Sequence, residues 1–197
     1  MNIERIVQEL KKGNLVITPT DTVYGILSKA LDIDVIEKVY NAKKRAKNKS
    51  FIVLVNGINM LKDIVLDISD IQYQFIEKYW PGKVTIIFKK NDKIPFELTG
   101  GRDTIAVRYP NHKDLCDILD IMNEPLISTS ANISNNDTIT NIHMIDQELL
   151  EHISYVEDGG EIQAQSSTIV EFIDNKIHIL RAGELSEDIK ENFSVIE

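Results

Sequence analysis

Apolar residues near the start of the chain fall at Ile3, Ile6, Val7 and Leu10, the stripe of an amphipathic helix, and Gly13 ends it. The continuous apolar run Leu15-Val16-Ile17 follows and stops before Pro19, as a buried strand does. Helical spacing then returns: Val35, Ile36, Val39 and Tyr40 share a face, with Asp34 placed to cap. The basic run Lys43-Lys44-Arg45 suits the negative end of that helix's dipole. FIVLV at 51–55 is a second strand, and Ile71, Phe75, Ile76 and Tyr79 mark another helix, closed by Pro81-Gly82. VTIIF (84–88) and TIAVR (104–108) are strands, and Asn111 opens a helix carrying Leu115, Ile118 and Leu119. LIST (126–129), STIVEF (167–172) and KIHIL (176–180) are strands, the last two joined by a turn at Asp174-Asn175. A final helix runs from about Ser186.

Strands that alternate with helices, plus a hairpin, predict an α/β fold built on a mixed twisted sheet. No internal repeat or linker divides the chain, so residues 1–197 are expected to form a single domain. Hydrophobic residues at 43% can fill a core, which excludes a disordered chain. There is no apolar stretch of membrane-spanning length and no leader-like apolar segment near the start, so a cytoplasmic protein is expected. Cys116, the single cysteine, excludes an internal disulfide and a thiolate metal cluster, and its helical spacing predicts a small buried residue.

Charge narrows the search for a site. Lys and Arg number 22 against 31 Asp and Glu, a net charge of −9, so the surface as a whole does not attract a phosphate backbone. An anionic ligand would need a local basic cluster. Four segments offer one. Pro19-Thr20-Asp21-Thr22-Val23-Tyr24-Gly25 follows a strand and combines hydroxyls, an aromatic and a glycine; Thr20 or Asp21 alone would do as a cap. Lys43 and Arg45 at a helix end either are solvated or converge on phosphates. Ser128-Thr129-Ser130-Ala131-Asn132-Ile133-Ser134 either caps a helix or supplies donors to anionic oxygens. Thr104 and Arg108 lie four apart on one strand and so face one side of the sheet, where Arg108 requires a structural carboxylate or an anionic ligand. Ser167, Thr168 and Arg181 complete this last group.

Absences limit the chemistry further. There is neither GxxxxGK[ST] nor GxGxxG, the four histidines lack ligand spacing, and no Ser-His-Asp arrangement is recognisable. Such a site binds and orients anions without forming a covalent intermediate.

Taken in order, these segments resemble the YrdC-type family of threonylcarbamoyl-AMP synthases, in its short single-domain form. The resemblance rests on PTDTVYG (19–25), Lys43-Lys44-Arg45, WPGKVTIIF (80–88), TIAVRYPNH (104–112), PLISTSANIS (125–134), DGG (158–160), STIV (167–170) and ILRAG (179–183). It implies an open twisted sheet with flanking helices and a basic concave cavity. It also implies condensation of L-threonine, bicarbonate and ATP to threonylcarbamoyl-AMP and pyrophosphate, with Mg2+ carried by ATP and no resident metal. A downstream tRNA-threonylcarbamoyl transferase complex would consume the product, and the acidic balance allows at most weak direct binding of tRNA.

Carried onto this chain, the resemblance places Thr22, Arg108, Ser130 and Ser167 on threonine. It places Lys43, Arg45, Lys49, Thr104, Asn132, Thr140 and Arg181 on the nucleotide, with Lys43 and Arg45 catalytic. The chain departs from the family at Ala46, Leu54, Ser166 and Ala182, where other members carry proline, histidine, glutamate and proline. Two other readings fit less well. A carbamoyl-transfer domain of hydrogenase maturation proteins belongs to long chains with cysteine-rich modules. A non-catalytic RNA-binding module would want a basic surface and an aromatic platform.

Overall fold

The structure is a computed structural model describing residues 1–162 and 165–196. Its strands are β1 (Leu15–Thr18), β2 (Gly25–Lys29), β3 (Ile52–Leu54), β4 (Val84–Lys89), β5 (Thr104–Arg108), β6 (Leu126–Ser130), β7 (Ile153–Val156), β8 (Thr168–Ile173), β9 (Lys176–Arg181) and β10 (Val195–Ile196). Its helices are α1 (Ile3–Lys11), α2 (Ile33–Ala42), α3 (Ile58–Lys62), α4 (Asp70–Tyr79), α5 (Phe96–Thr99), α6 (Lys113–Met122), α7 (Gln147–Leu150) and α8 (Ser186–Asn192).

All these strands join one sheet in the order β10-β9-β8-β4-β5-β3-β6-β2-β1-β7. Four neighbouring pairs are parallel (β1 with β7, β3 with β5, β4 with β8, β9 with β10) and the others antiparallel. The mixed α/β architecture expected from the sequence is therefore present. The β8–β9 hairpin turns at Asp174 and Asn175, both at positive φ (48° and 60°), the geometry that short polar residues tolerate in tight hairpins.

Helices cover the sheet unequally. On one face, residues such as Ile17, Ile26, Val53, Val107, Ile127 and Val170 are fully buried beneath apolar side chains of α2, α4, α5 and α8. Each such side chain contributes about 1.5–3 kcal/mol through its burial. On the other face, α1 and α6 pack on Val16, Leu27, Leu54 and Leu126 at one end of the sheet only. Strand alternation shows where this cover stops. Leu126 is in that core, while Ser128 and Ser130, two and four residues further along the same face of β6, are lined up in an open cavity.

Local chemistry shifts several boundaries. The cap of α2 is Asp32, whose carboxylate accepts from the Asp34 and Val35 amides, so Asp34 lies inside the first turn. His112, not Asn111, precedes α6. Cys116 is only half-buried, with Sγ 3.4 Å from the Pro110 carbonyl oxygen. It was expected to be buried, but it lies on the flank of the α6 stripe formed by Leu115, Ile118 and Leu119.

Candidate active site

The uncovered face of the sheet floors a cavity of about 640 Å³. Among the described residues five cations line it, Arg45, Lys49, Arg102, Arg108 and Arg181, against a single carboxylate, Glu171. This is the local basic cluster that the net charge of −9 requires if anions are to bind. Strand β5 runs along the floor with Thr104, Ala106 and Arg108 all facing the cavity, while Ile105 and Val107 point into the core. Thr104 and Arg108 thus stand roughly 13 Å apart at opposite ends of one wall.

The Arg108 end is the more buried. Arg108 is 3% exposed, and its Nη1 donates to the carboxylate of Asp21, whose other oxygen accepts from the Asn111 amide 3.1 Å away. The structural carboxylate that an arginine on a sheet face needs is therefore present, and Arg108 lines the cavity as well. Beside it, Arg181 donates from Nε and Nη2 to the Ser167 carbonyl oxygen at 3.0 and 2.8 Å. Arg181 Nη2 also donates to Ser167 Oγ (3.0 Å), which is 2.8 Å from Thr85 Oγ1. Burial, and after it the Arg108 charge, push the Arg181 guanidinium below its ordinary value.

At the Thr104 end stand Arg45, Lys49 and Arg102. Arg45 is held over the Phe51 ring at 5.1 Å, and its Nη2 donates to the Ser50 carbonyl oxygen at 2.7 Å. Burial holds Arg45 below its usual value, opposed by Tyr40 and reinforced by Arg102. Arg45 and Arg102 are like charges near each other, with no ion-paired carboxylate among the described residues, and so are a standing demand for an anion.

Lys43 behaves differently from Arg45. It is 1% exposed and does not line the cavity. Its ammonium donates to the Ser130 carbonyl oxygen, to the Asn132 carbonyl oxygen at 2.6 Å and to Asn132 Oδ1 at 3.2 Å. Asn132 Oδ1 also accepts from Ser130 Oγ at 2.6 Å, and the Lys43 carbonyl oxygen accepts the Ser134 amide at 2.9 Å. Lys43 and Asn132 thus clamp the end of α2 to the turn after β6, and Ser130 alone of the three faces the cavity. Burial, and secondarily Arg45, push Lys43 down to about 7. Three oxygen acceptors around Nζ work in the opposite direction by solvating the ammonium.

The structure therefore brings Thr22, Arg45, Lys49, Thr104, Arg108, Ser130, Ser167 and Arg181 to one cavity. Lys43 and Asn132 lie behind its wall, and half-buried Thr140 is outside the lining, where Thr138 stands instead. Sequence reasoning missed Arg102, which reads as part of a Thr-Gly-Gly-Arg turn. It left Asp21 between a cap and a part of a ligand wall, because its partner Arg108 is 87 residues away.

Comparison with known proteins decides the family. The model for Sua5/YciO/YrdC, described as telomere recombination, matches residues 8–183. The chain belongs to the Sua5/YciO/YrdC family. Within it, the threonylcarbamoyl-AMP synthase of Pyrococcus abyssi is 30% identical over 89% of this chain, which spans 52% of that relative's length. A Methanocaldococcus jannaschii relative is 35% identical, with 92% of this chain and 85% of that protein covered. The structure of Pyrococcus abyssi Sua5 complexed with L-threonine superposes with a TM-score of 0.90 at 28% identity, over 98% of this chain and 58% of that one.

The fold also joins motifs that lie far apart in the sequence. Tyr24 in PTDTVYG is fully buried; its hydroxyl donates to the Gly160 carbonyl oxygen at 2.7 Å and accepts the Gly159 amide at 2.9 Å. One phenol thereby ties the first loop to DGG. Gly159 packs on Pro19 so closely that an added Cβ would lie 2.6 Å from its ring. Two departures from the family find their places: Leu54 is buried in the α1–α6 core, away from the cavity, and Ser166 lines it.

Proposed function

We propose that this chain is an L-threonylcarbamoyladenylate synthase, condensing L-threonine, bicarbonate and ATP to threonylcarbamoyl-AMP and pyrophosphate. A tRNA-threonylcarbamoyl transferase complex would use that product in the cytoplasm to form N6-threonylcarbamoyladenosine in tRNA. The observation that carries this reading is the polarity of the cavity. A buried arginine stands at one end of β5, three cations stand at the other, and hydroxyls lie between. A ligand with a carboxylate at one end and phosphates at the other has that shape, and the Pyrococcus abyssi relative of known structure binds L-threonine.

The chemistry then divides among named residues. Arg108 holds the threonine carboxylate, with Thr22, Ser130 and Ser167 available to its polar atoms. The threonine amine loses a proton and takes up bicarbonate as a carbamate, releasing water. A carbamate oxygen attacks the α-phosphorus, the bond to the bridging oxygen breaks, and its electron pair leaves with pyrophosphate. Arg45, Lys49 and Arg181 stabilise charge on the phosphates, and Thr104 orients the nucleotide. Each arginine contact is worth about 2–4 kcal/mol in the transition state. Lys43 and Asn132 act from behind the wall by fixing Ser130. Mg2+ would arrive with ATP as part of the substrate and would neutralise charge on the phosphates.

No described helix is long and apolar enough to cross a membrane. The test is transfer of labelled bicarbonate into a nucleotide product in the presence of ATP and threonine, followed by loading of that product onto tRNA by a transferase complex. Label that stays in bicarbonate under these conditions refutes the reaction.

A further inference from the structure

Arg102 lines the cavity, and the reaction as described above gives it no part. Its backbone is fixed more firmly than an exposed loop requires. The Arg102 amide donates to the Thr99 carbonyl oxygen at 3.3 Å, and the buried Thr99 hydroxyl donates back to the Arg102 carbonyl oxygen at 2.7 Å. Gly101, at φ 81°, donates its amide to the Phe96 carbonyl oxygen at 2.9 Å. Gly100, at φ 60°, sits against the next loop: an added Cβ would lie 2.7 Å from the Asn48 carbonyl carbon and 3.1 Å from the Lys49 amide. Only glycine permits both that conformation and that approach. The two loops that carry Lys49 and Arg102 are thus pressed together at the Thr104 end of the cavity.

The side chain is treated differently from the backbone. The hydrogen bonds that Arg102 makes among the described residues are both main-chain, and its guanidinium is exposed toward the cavity. A held backbone beneath a free, planar, five-donor head is a preorganised anion contact, because little freedom remains to be lost on binding.

Geometry says which anion. In the proposed reaction the carbamate is anchored by Arg108, and displacement at the α-phosphorus puts the leaving oxygen opposite the attacking one. The leaving group therefore points along β5 away from Arg108, toward Thr104 and the residues before it. We propose that Arg102, with Lys49, holds the β- and γ-phosphates of the nucleotide and then the departing pyrophosphate, leaving Arg45 and Arg181 to the α-phosphate. The assignment rests on the reading of the site as a triphosphate-cleaving one, but it makes a separate claim about an anion subsite.

The test uses inorganic tripolyphosphate and AMP as separate probes, titrated calorimetrically into the wild-type chain, Arg102→Ala and Arg102→Lys. Arg102→Ala should weaken tripolyphosphate about tenfold or more while AMP stays within about twofold, and Arg102→Lys should recover part of the loss. Thermal unfolding should be unchanged, since the side chain is exposed. Undetectable tripolyphosphate binding by the wild type, unchanged binding by Arg102→Ala, or an equal loss for both probes would overturn the assignment. Arg102-dependent binding of tripolyphosphate without threonine-dependent turnover would support the subsite and refute the reaction. Turnover with no Arg102-dependent binding would do the reverse.

Discussion

The guanidinium of Arg108 and the carboxylate of Asp21 form an ion pair in the cavity wall, with side chains only 4% and 6% exposed. Each is the main reason the other can be buried there. Removing one partner leaves an unpaired charge, a loss of about 3–5 kcal/mol in a fully dry site and less where a cavity admits water. Asp21→Asn and Arg108→Ala should each lower stability by about 2–3 kcal/mol in urea unfolding. The double variant should lose clearly less than the sum, and strictly additive losses would show that the pair contributes nothing.

Lys43 gives a pH signature with a definite sign. Its folded value is about 7 and its ordinary value 10.5. Below about pH 7 both folded and unfolded chains hold the proton, and the cost of burying the charge is complete. From there to about pH 10 the folded chain releases the proton while the unfolded chain keeps it, so this group's contribution to stability rises. The difference in unfolding free energy between the wild type and Lys43→Met should therefore climb across that window. A flat difference would mean that the three oxygens around Nζ keep the ammonium charged.

The same residue bears on function. The resemblance to the synthase family implies that Lys43→Ala keeps the fold yet loses most product formation. In the structure Lys43 satisfies oxygens of Ser130 and Asn132. Lys43→Ala should therefore cost about 2–3 kcal/mol of stability as well as activity. Arg45→Ala, at a half-buried position, should lose activity with a smaller change in stability. Equal unfolding midpoints for the two variants would contradict the clamp.

Tyr24→Phe removes both hydrogen bonds to DGG without emptying the core. It should cost about 1–3 kcal/mol, and hydrogen exchange at the Gly159 amide should quicken. Unaltered exchange would dissociate the two motifs.

Gly25→Ala tests the shape of the cavity. A Cβ there would meet Thr20 Cγ2 at 3.2 Å and Ser128 Oγ at 3.3 Å, tight contacts that push on a lining hydroxyl. Threonine affinity should fall several-fold, with a stability change of about 1 kcal/mol. Unchanged affinity would mean that the cavity wall at Ser128 does not shape the threonine end of the site.

Much of this was readable from the chain. Apolar runs such as VTIIF and TIAVR located β4 and β5 because a strand buried on both sides, or on one side with a threonine and an arginine on the other, leaves a pattern in sequence. Strand β2 escaped because Gly25 and Ser28 break its apolar pattern, and β7 because Ile153 and Val156 are only half-buried at the sheet's edge. The DGG and PTDTVYG segments were visible as motifs, but the phenol joining them was not. The site failed to be legible where its logic is long-range. A lysine that binds phosphate and a lysine that satisfies distant carbonyl oxygens look alike in sequence, and only the fold places Lys43 beneath Ser130. Arg102 was hidden by its setting among turn residues.

The central claim is best tested by following pyrophosphate release from ATP and bicarbonate, with L-threonine, with L-serine and with neither. The account predicts release that depends on threonine, is much weaker with serine, and falls by two orders of magnitude or more, about 3 kcal/mol, in Arg108→Ala. Release that ignores threonine, or that survives intact in Arg108→Ala, would contradict it.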